Sequence, residues 1–205
     1  MVFPPRSRHS GKKSGFGQAS AVLAFKLKKS IVMVGMMGAG KTAVGQALAA
    51  RLSVPFLDSD EEIVRAANMS IAEIFERDGE AFFRDRETEV IGRLLDGQRA
   101  VLSTGGGAFM AERNRSMISE RGVSVLLRAD LDLLWNRVKH KDTRPLLRTP
   151  DPKATLTEIY TARVPVYELA DLVVDAQPDY TIAQMTEAVI EVLKSRPDVL
   201  EETSA

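Results

Sequence analysis

The stretch Ile31-Val32-Met33-Val34-Gly35-Met36-Met37-Gly38-Ala39-Gly40-Lys41-Thr42 decides the fold. Its first part, IVMVG at 31–35, is a short β-branched run that reads as a buried strand, and it leads directly into the spacing Gly35-x4-Gly40-Lys41-Thr42. A helical period follows, with Val44, Leu48 and Leu52 on its apolar face. Strand, glycine loop and helix in that order are the context a phosphate-binding P-loop requires. Glycines let the backbone wrap a β-phosphate with N–H groups turned inward, and the helix N-terminus adds about half a positive charge. Lys41 is placed to bridge the β- and γ-phosphates of a nucleoside triphosphate, and the Thr42 hydroxyl to ligate Mg2+.

Outward from this loop, short apolar runs alternate with longer helical periods, the signature of a parallel sheet covered on both faces. Strands are expected at 31–35, 55–58, 100–103, 123–127 and 172–174. Between them, Ser70-x-x-Glu73, Thr155-x-x-Glu158 and Thr181-x-x-Gln184 have capping-box spacing. The last precedes a helix with Ile182, Met185, Val189 and Leu193 inward. The expected architecture is α/β: a P-loop NTPase fold with a five-stranded parallel sheet, helices on both faces, a mobile lid and a substrate-binding helical segment.

The 205 residues fit one domain with a proper core, and the absence of cysteine excludes disulfides, thiolate metal sites and thiol catalysis. The net charge of zero hides an asymmetry. Nine of the 28 Lys and Arg residues precede Asp58, the first acidic residue, so the rest of the chain is acidic on balance, which argues against a nucleic-acid partner. No apolar run reaches the roughly 20 residues of a membrane-spanning helix, so no membrane partner is expected. Residues 1–29, rich in Ser, Gly, Lys and Arg, read as a basic flexible extension, with 30–205 a single domain. A disordered tail and an organellar transit peptide both fit that composition. A cytoplasmic location is expected, or a plastid one if 1–29 is a transit peptide.

Four further segments carry chemistry. Leu57-Asp58-Ser59-Asp60 stands at the carboxyl end of the second strand, where open α/β sheets collect ligands. Asp58 suits a magnesium ion and Asp60 a substrate hydroxyl, although aspartates there also cap helices. In Phe82-Phe83-Arg84-Asp85-Arg86-Glu87 a cation beside two phenylalanines opens a helix, with Phe83, Glu87 and Ile91 aligned at i, i+4 and i+8. Arg84 is either a carboxylate anchor or a solvated cation. Ser103-Thr104-Gly105-Gly106-Gly107 removes every side chain from a loop that a ligand must approach closely, or is a plain turn. It also stands where many P-loop enzymes carry a second acidic motif and offers only hydroxyls. Residues 139–153, with three prolines and five Lys and Arg, read as a lid bringing Arg144 to the transferring phosphates, flanked by Arg137 and Arg163. His140 has no partner at useful spacing.

Taken together, GMMGAGKT at 35–42, DSD at 58–60, FRDRE at 83–87, GGG at 105–107, RPLL at 144–147 and RVPVY at 163–167 resemble the shikimate kinase family, in family order. The likeness runs from about Lys29 to about Leu193. It implies that Asp60 holds the hydroxyl to be phosphorylated and that Arg84 and Arg163 clamp the shikimate carboxylate, with Gly105, Gly106 and Gly107 shaping the same pocket. It further implies ATP contacts from Gly38, Ala39, Gly40, Lys41, Thr42, Ala43, Arg137 and Arg144, with Arg137 stacking on adenine and Asp175-Ala-Gln-Pro178 as a short adenine loop. The substrate-binding segment covers about 59–92 and the lid about 139–154. Lys41, Asp60 and Arg144 are the expected catalytic residues, Thr42 and Asp58 the expected metal ligands. The expected reaction is transfer of the γ-phosphoryl group of ATP, with Mg2+, to the 3-hydroxyl of shikimate by a monomer. A kinase of another small acceptor such as gluconate, and an inactive nucleotide-binding module, are the rival readings.

Overall fold

The computed structural model describes residues 24–140 and 145–203. The central strand β2 (Ser30–Val34) is buried along its whole length. It is flanked by β4 (Val101–Ser103) and β5 (Gly122–Arg128), with β3 (Phe56–Asp58) and β6 (Leu172–Asp175) at the edges, giving the all-parallel order β3-β4-β2-β5-β6. All five expected strands are present, with ends shifted by one residue or none. From β2 the chain first moves to β3 on one side and later to β5 and β6 on the other. The crevice at the carboxyl ends, beside the P-loop, is therefore the ligand-collecting switch point of the sheet.

Parallel neighbours need crossover connections, and helices supply them. The P-loop helix α1 (Lys41–Leu52) packs with α7 (Ile182–Leu193) on one face, whereas α3 (Ile71–Asp96) packs with α4 (Glu112–Arg121) on the other. As expected, Val44, Leu48 and Leu52 of α1 turn into the core. The short α2 (Ser59–Ala67) follows β3 without a connecting loop, and α5 (Leu131–Val138) and α6 (Pro152–Tyr167) flank the lid. Ser70 and Thr181 form two of the three expected capping boxes.

Three expectations are corrected. The helix after the lid begins at Pro152, capped by Asp151, and not at Thr155. Proline at the first helical position has its fixed φ and missing N–H where both are harmless, so Thr155 lies inside the first turn and donates to the Asp151 carbonyl. Ile182 is not inward but half exposed, because it is the first residue of α7 and precedes the turn that meets the core. The basic extension does not run to residue 29: Ala24–Leu27 forms β1, antiparallel to β7 (Leu200–Thr203). Residues 1–23 lie outside the described residues.

Candidate active site

The loop from Gly35 to Gly40 has the backbone that its glycines allow. Gly35, Gly38 and Gly40 have φ of 136°, 84° and 102°, a region nearly closed to side chains. A Cβ on Gly38 would also fall 2.7 Å from Val138 Cγ1 of α5. Gly40 caps α1, and the Ala39 N–H donates to the Met36 carbonyl, closing the turn. Lys41 Nζ donates to the Gly35 and Met36 carbonyls at 2.8 and 3.2 Å, which holds its ammonium over the loop. Thr42 and Ala43 stand exposed on the first turn of α1. Arg137, on the last turn of α5, donates from Nη1 to the Gly38 and Ala39 carbonyls, both at 3.3 Å.

Across the sheet, Asp58, Ser103 and Met33 are level in register, so the ends of β3 and β4 reach the crevice beside the P-loop. Thr104 Oγ1 donates to the Met33 carbonyl, tying the glycine-rich connection to the strand that feeds the P-loop. Asp58 is the α2 cap: its Oδ1 accepts from the Asp60 and Glu61 N–H groups at 2.9 and 3.4 Å. As the cap, Asp58 fixes the backbone that carries Asp60. The Asp60 carboxyl is pushed up to about 6, chiefly by burial and then by Asp58, while Lys41 and Arg84 pull the other way. Its Oδ1 is buried with no hydrogen-bond partner, as are Ser59 Oγ and Glu87 Oε1.

The glycine triplet is where the remaining residues meet. A Cβ on Gly105 would lie 2.8 Å from Asp60 Oδ1 and 3.3 Å from Glu87 Oε1. One on Gly106 would lie 3.2 Å from Arg163 Nη1, and one on Gly107 2.6 Å from both Nη atoms of Arg84. Asp60, Arg84 and Arg163, from three separate helices, thus converge on three consecutive residues without side chains. The Tyr167 hydroxyl, raised in pKa by burial against the opposing effect of Arg163, donates to the Gly106 carbonyl at 2.5 Å.

Arg84 is not a solvated cation. Its guanidinium bonds Glu87 at 2.8 Å and Glu80 at 3.1 Å and lies 5.2 Å from the Phe83 ring centre. Glu87 is the residue that sequence reading missed. It is 1% exposed, and burial raises its carboxyl pKa against the pull of Arg84. A buried charge of this kind is tolerable only when paired. Its signal was present in the alignment with Phe83 and Ile91: a glutamate on an otherwise apolar helix face. Arg144 lies outside the described residues. Among the described residues no three acidic or histidine side chains gather to hold a metal. The donor set beside the P-loop is of hard oxygens, Thr42 and Asp58, which fits Mg2+ completed by phosphates and water and not a closed protein cage.

The shikimate kinase family model matches residues 37–194. The chain is 66% identical to the shikimate kinase of Ruegeria pomeroyi over 94% of this chain and 96% of that one. It is also 66% identical to that of Cereibacter sphaeroides over 86% and 88%. Among solved structures, the shikimate kinase from Acinetobacter baumannii in complex with shikimate matches with a TM-score of 0.74 at 37% identity, covering 82% of this chain and 93% of that one. A gluconokinase from Sinorhizobium meliloti, 20% identical with a TM-score of 0.56 over 83% and 94%, shares the fold alone.

Proposed function

The chain belongs to the shikimate kinase family, and from that premise we propose how its residues divide the transfer of the ATP γ-phosphoryl group to the 3-hydroxyl of shikimate. The family fixes the reaction class, an ATP-dependent phosphotransferase acting on a hydroxyl, with shikimate 3-phosphate and ADP as products on the way to chorismate and the aromatic amino acids. The observation that carries the assignment of roles is the convergence of Asp60, Arg84 and Arg163 on Gly105–Gly107.

The donor is held by the N–H groups of the loop Gly38–Ala43 and by Lys41, which exchanges carbonyl partners for β- and γ-phosphate oxygens. Arg137, which donates to the Gly38 and Ala39 carbonyls of that loop, is assigned to stack on adenine. Thr42 and Asp58, the latter directly or through water, would hold Mg2+, which when bound neutralises phosphate charge. The acceptor carboxylate is gripped by Arg84 and Arg163 from either side of the glycine triplet, a two-point grip that fixes the ring and aims one hydroxyl at Asp60. Asp60 accepts that hydroxyl's hydrogen bond. Because the transition state is loose and asks little of a base, orientation comes first and proton acceptance second. Arg144, supplied by the lid, neutralises charge on the transferring group. A cytoplasmic monomer is the reading we adopt: the relatives named above are bacterial, and both substrate sites are built from one chain.

A coupled ADP-release assay tests this. Arg84→Met and Arg163→Met are each expected to raise KM for shikimate about 30-fold or more, the loss of roughly 2 kcal/mol for a charge-assisted contact, with KM for ATP within about twofold. Turnover of gluconate in preference to shikimate, or an effect on ATP alone, removes the proposal.

A further inference from the structure

The loop Gly105–Ala111 presents three glycines to the acceptor; its buried side chains, Ala108 and Phe109, anchor only the part beyond them, so the place of the glycines must be set by bonds to their backbone. Each of its carbonyls has a donor. Gly105 and Gly107 receive the N–H groups of Ala108 and Met110 within the loop, and Gly106 receives the Tyr167 hydroxyl. The Ala108 carbonyl accepts from Asn114 Nδ2 at 2.8 Å, and those of Phe109 and Met110 accept from Arg115 Nη1 at 2.9 and 2.7 Å. The preceding residue reaches the opposite wall: Arg113 Nη2 donates to the Arg84 carbonyl at 3.1 Å and to Asp85 at 2.7 Å. Its charge also favours the ionised form of Glu87, the partner of Arg84.

We propose that Arg113, Asn114 and Arg115, three consecutive residues in the first turns of α4, are positioning residues for the acceptor, holding the Arg84 helix and the glycine triplet in register. The inference rests on the acceptor pocket proposed above. Two observations separate it from ordinary helix packing. Of α4's residues only Asn114 and Ile118 are buried, so the helix meets the loop through polar side chains and not an apolar face. Asn114 is itself a costly choice: its Oδ1 is buried without a partner, a penalty that an apolar residue of the same size avoids. What the amide provides in return is the fixed position of the Ala108 carbonyl, one residue beyond Gly107. An error of about 1 Å in such a position costs up to about 100-fold in rate.

The test is steady-state kinetics with both substrates, together with melting temperature, on Asn114→Leu, Arg115→Met and Arg115→Lys. We expect Asn114→Leu and Arg115→Met to raise KM for shikimate about tenfold while leaving KM for ATP within about twofold. Arg115→Lys, which keeps a cationic donor for the two carbonyls, should recover most of that loss. Melting temperatures that fall without a change in KM for shikimate overturn the inference, as does a matching rise in KM for ATP. Should Asn114→Leu fail to fold, the Arg115 pair decides alone. Arg84→Met run alongside separates the two levels. If it raises KM for shikimate and the α4 variants do not, only this inference falls. If it too has no effect, the acceptor pocket itself is misassigned.

Discussion

Asp60 sits where its charge is least welcome, buried beside Asp58, with one oxygen unpartnered. A carboxyl raised from 3.8 to about 6 on folding binds more protons folded than unfolded across that interval. Stability therefore falls as pH rises from about 4 to 6, and the cost is full above pH 6. The shift corresponds to about 3 kcal/mol at most, and about 1–2 kcal/mol once residual solvent access is allowed for. Asp60→Asn removes this cost. The variant should melt about 3–6 °C above the parent at pH 7.5, with the difference vanishing near pH 4, while turnover of shikimate collapses. Equal melting temperatures at pH 7.5 contradict the burial argument. Neither the shift nor its cause was legible in the sequence, where Asp58-Ser59-Asp60 only marked a place at the carboxyl end of a strand. Arg84 was less legible still. From its own neighbours it was as good a solvated side chain as an anchor, and what decides is Gly107, 23 residues away, which alone leaves room for the guanidinium. Contacts of that span arise from topology and have no local pattern.

At the scale of the element, α3 shows how one backbone break positions a site. The helix runs from Ile71 to Asp96, but Gly79 interrupts it with φ 83° and ψ 174°, a conformation essentially reserved for glycine. The first part is fixed by the Ser70 capping box and the second carries Phe83, Arg84 and Glu87, so the break sets the angle at which Arg84 enters the pocket. Nothing lies within 4 Å of a Cβ at Gly79, so alanine there meets no clash and isolates the backbone term. Gly79→Ala is expected to cost about 1–3 kcal/mol, lowering the melting temperature by about 3–10 °C, or to straighten the helix and raise KM for shikimate. An unchanged melting temperature with unchanged kinetics counts against any role for the break. The sequence showed a helix opening near Phe82 because the apolar period restarts there. It did not show that the preceding turns belong to the same element, since a glycine inside a polar run reads equally as a loop. Strands were read well for the opposite reason: the three inner ones, β2, β4 and β5, are buried on both faces, so their composition alone declares them, and the half-buried edge strands β3 and β6 are still short apolar runs.

Over the whole molecule, the two ends of the described chain close on each other at the margin of the sheet farthest from the P-loop. β1 and β7 were invisible in the sequence because each is four residues long and neither alternates clearly; they exist only as a pair. The pair is stitched by Lys28 to Glu201, Lys29 to Asp198, and the Lys28 N–H to the Val199 carbonyl, while Arg99 Nε donates to the Lys28 carbonyl at the foot of β4. Beneath it Leu27, Val199 and Leu200 are buried, and Arg51 at the end of α1 lies over the Phe25 ring. Ion pairs on such a surface add little, so the apolar residues dominate the balance. Fully burying each is worth about 1.5–3 kcal/mol. Chains begun at Ala24 and at Ser30 differ only in the strand and its two following lysines. The shorter one uncovers Val199 and Leu200 and should lose about 2–4 kcal/mol, a fall of about 5–15 °C in melting temperature for a domain of this size. Because the pair touches the far end of α1 and not the loop that begins it, KM for ATP and for shikimate should stay within about twofold at a temperature where both chains are folded. A shorter chain that keeps its melting temperature shows that β7 is held without β1. One that melts as expected but also loses ATP affinity shows that the C-terminal end of α1 is coupled to the loop at its N-terminus, and that the terminal strands are part of the nucleotide site.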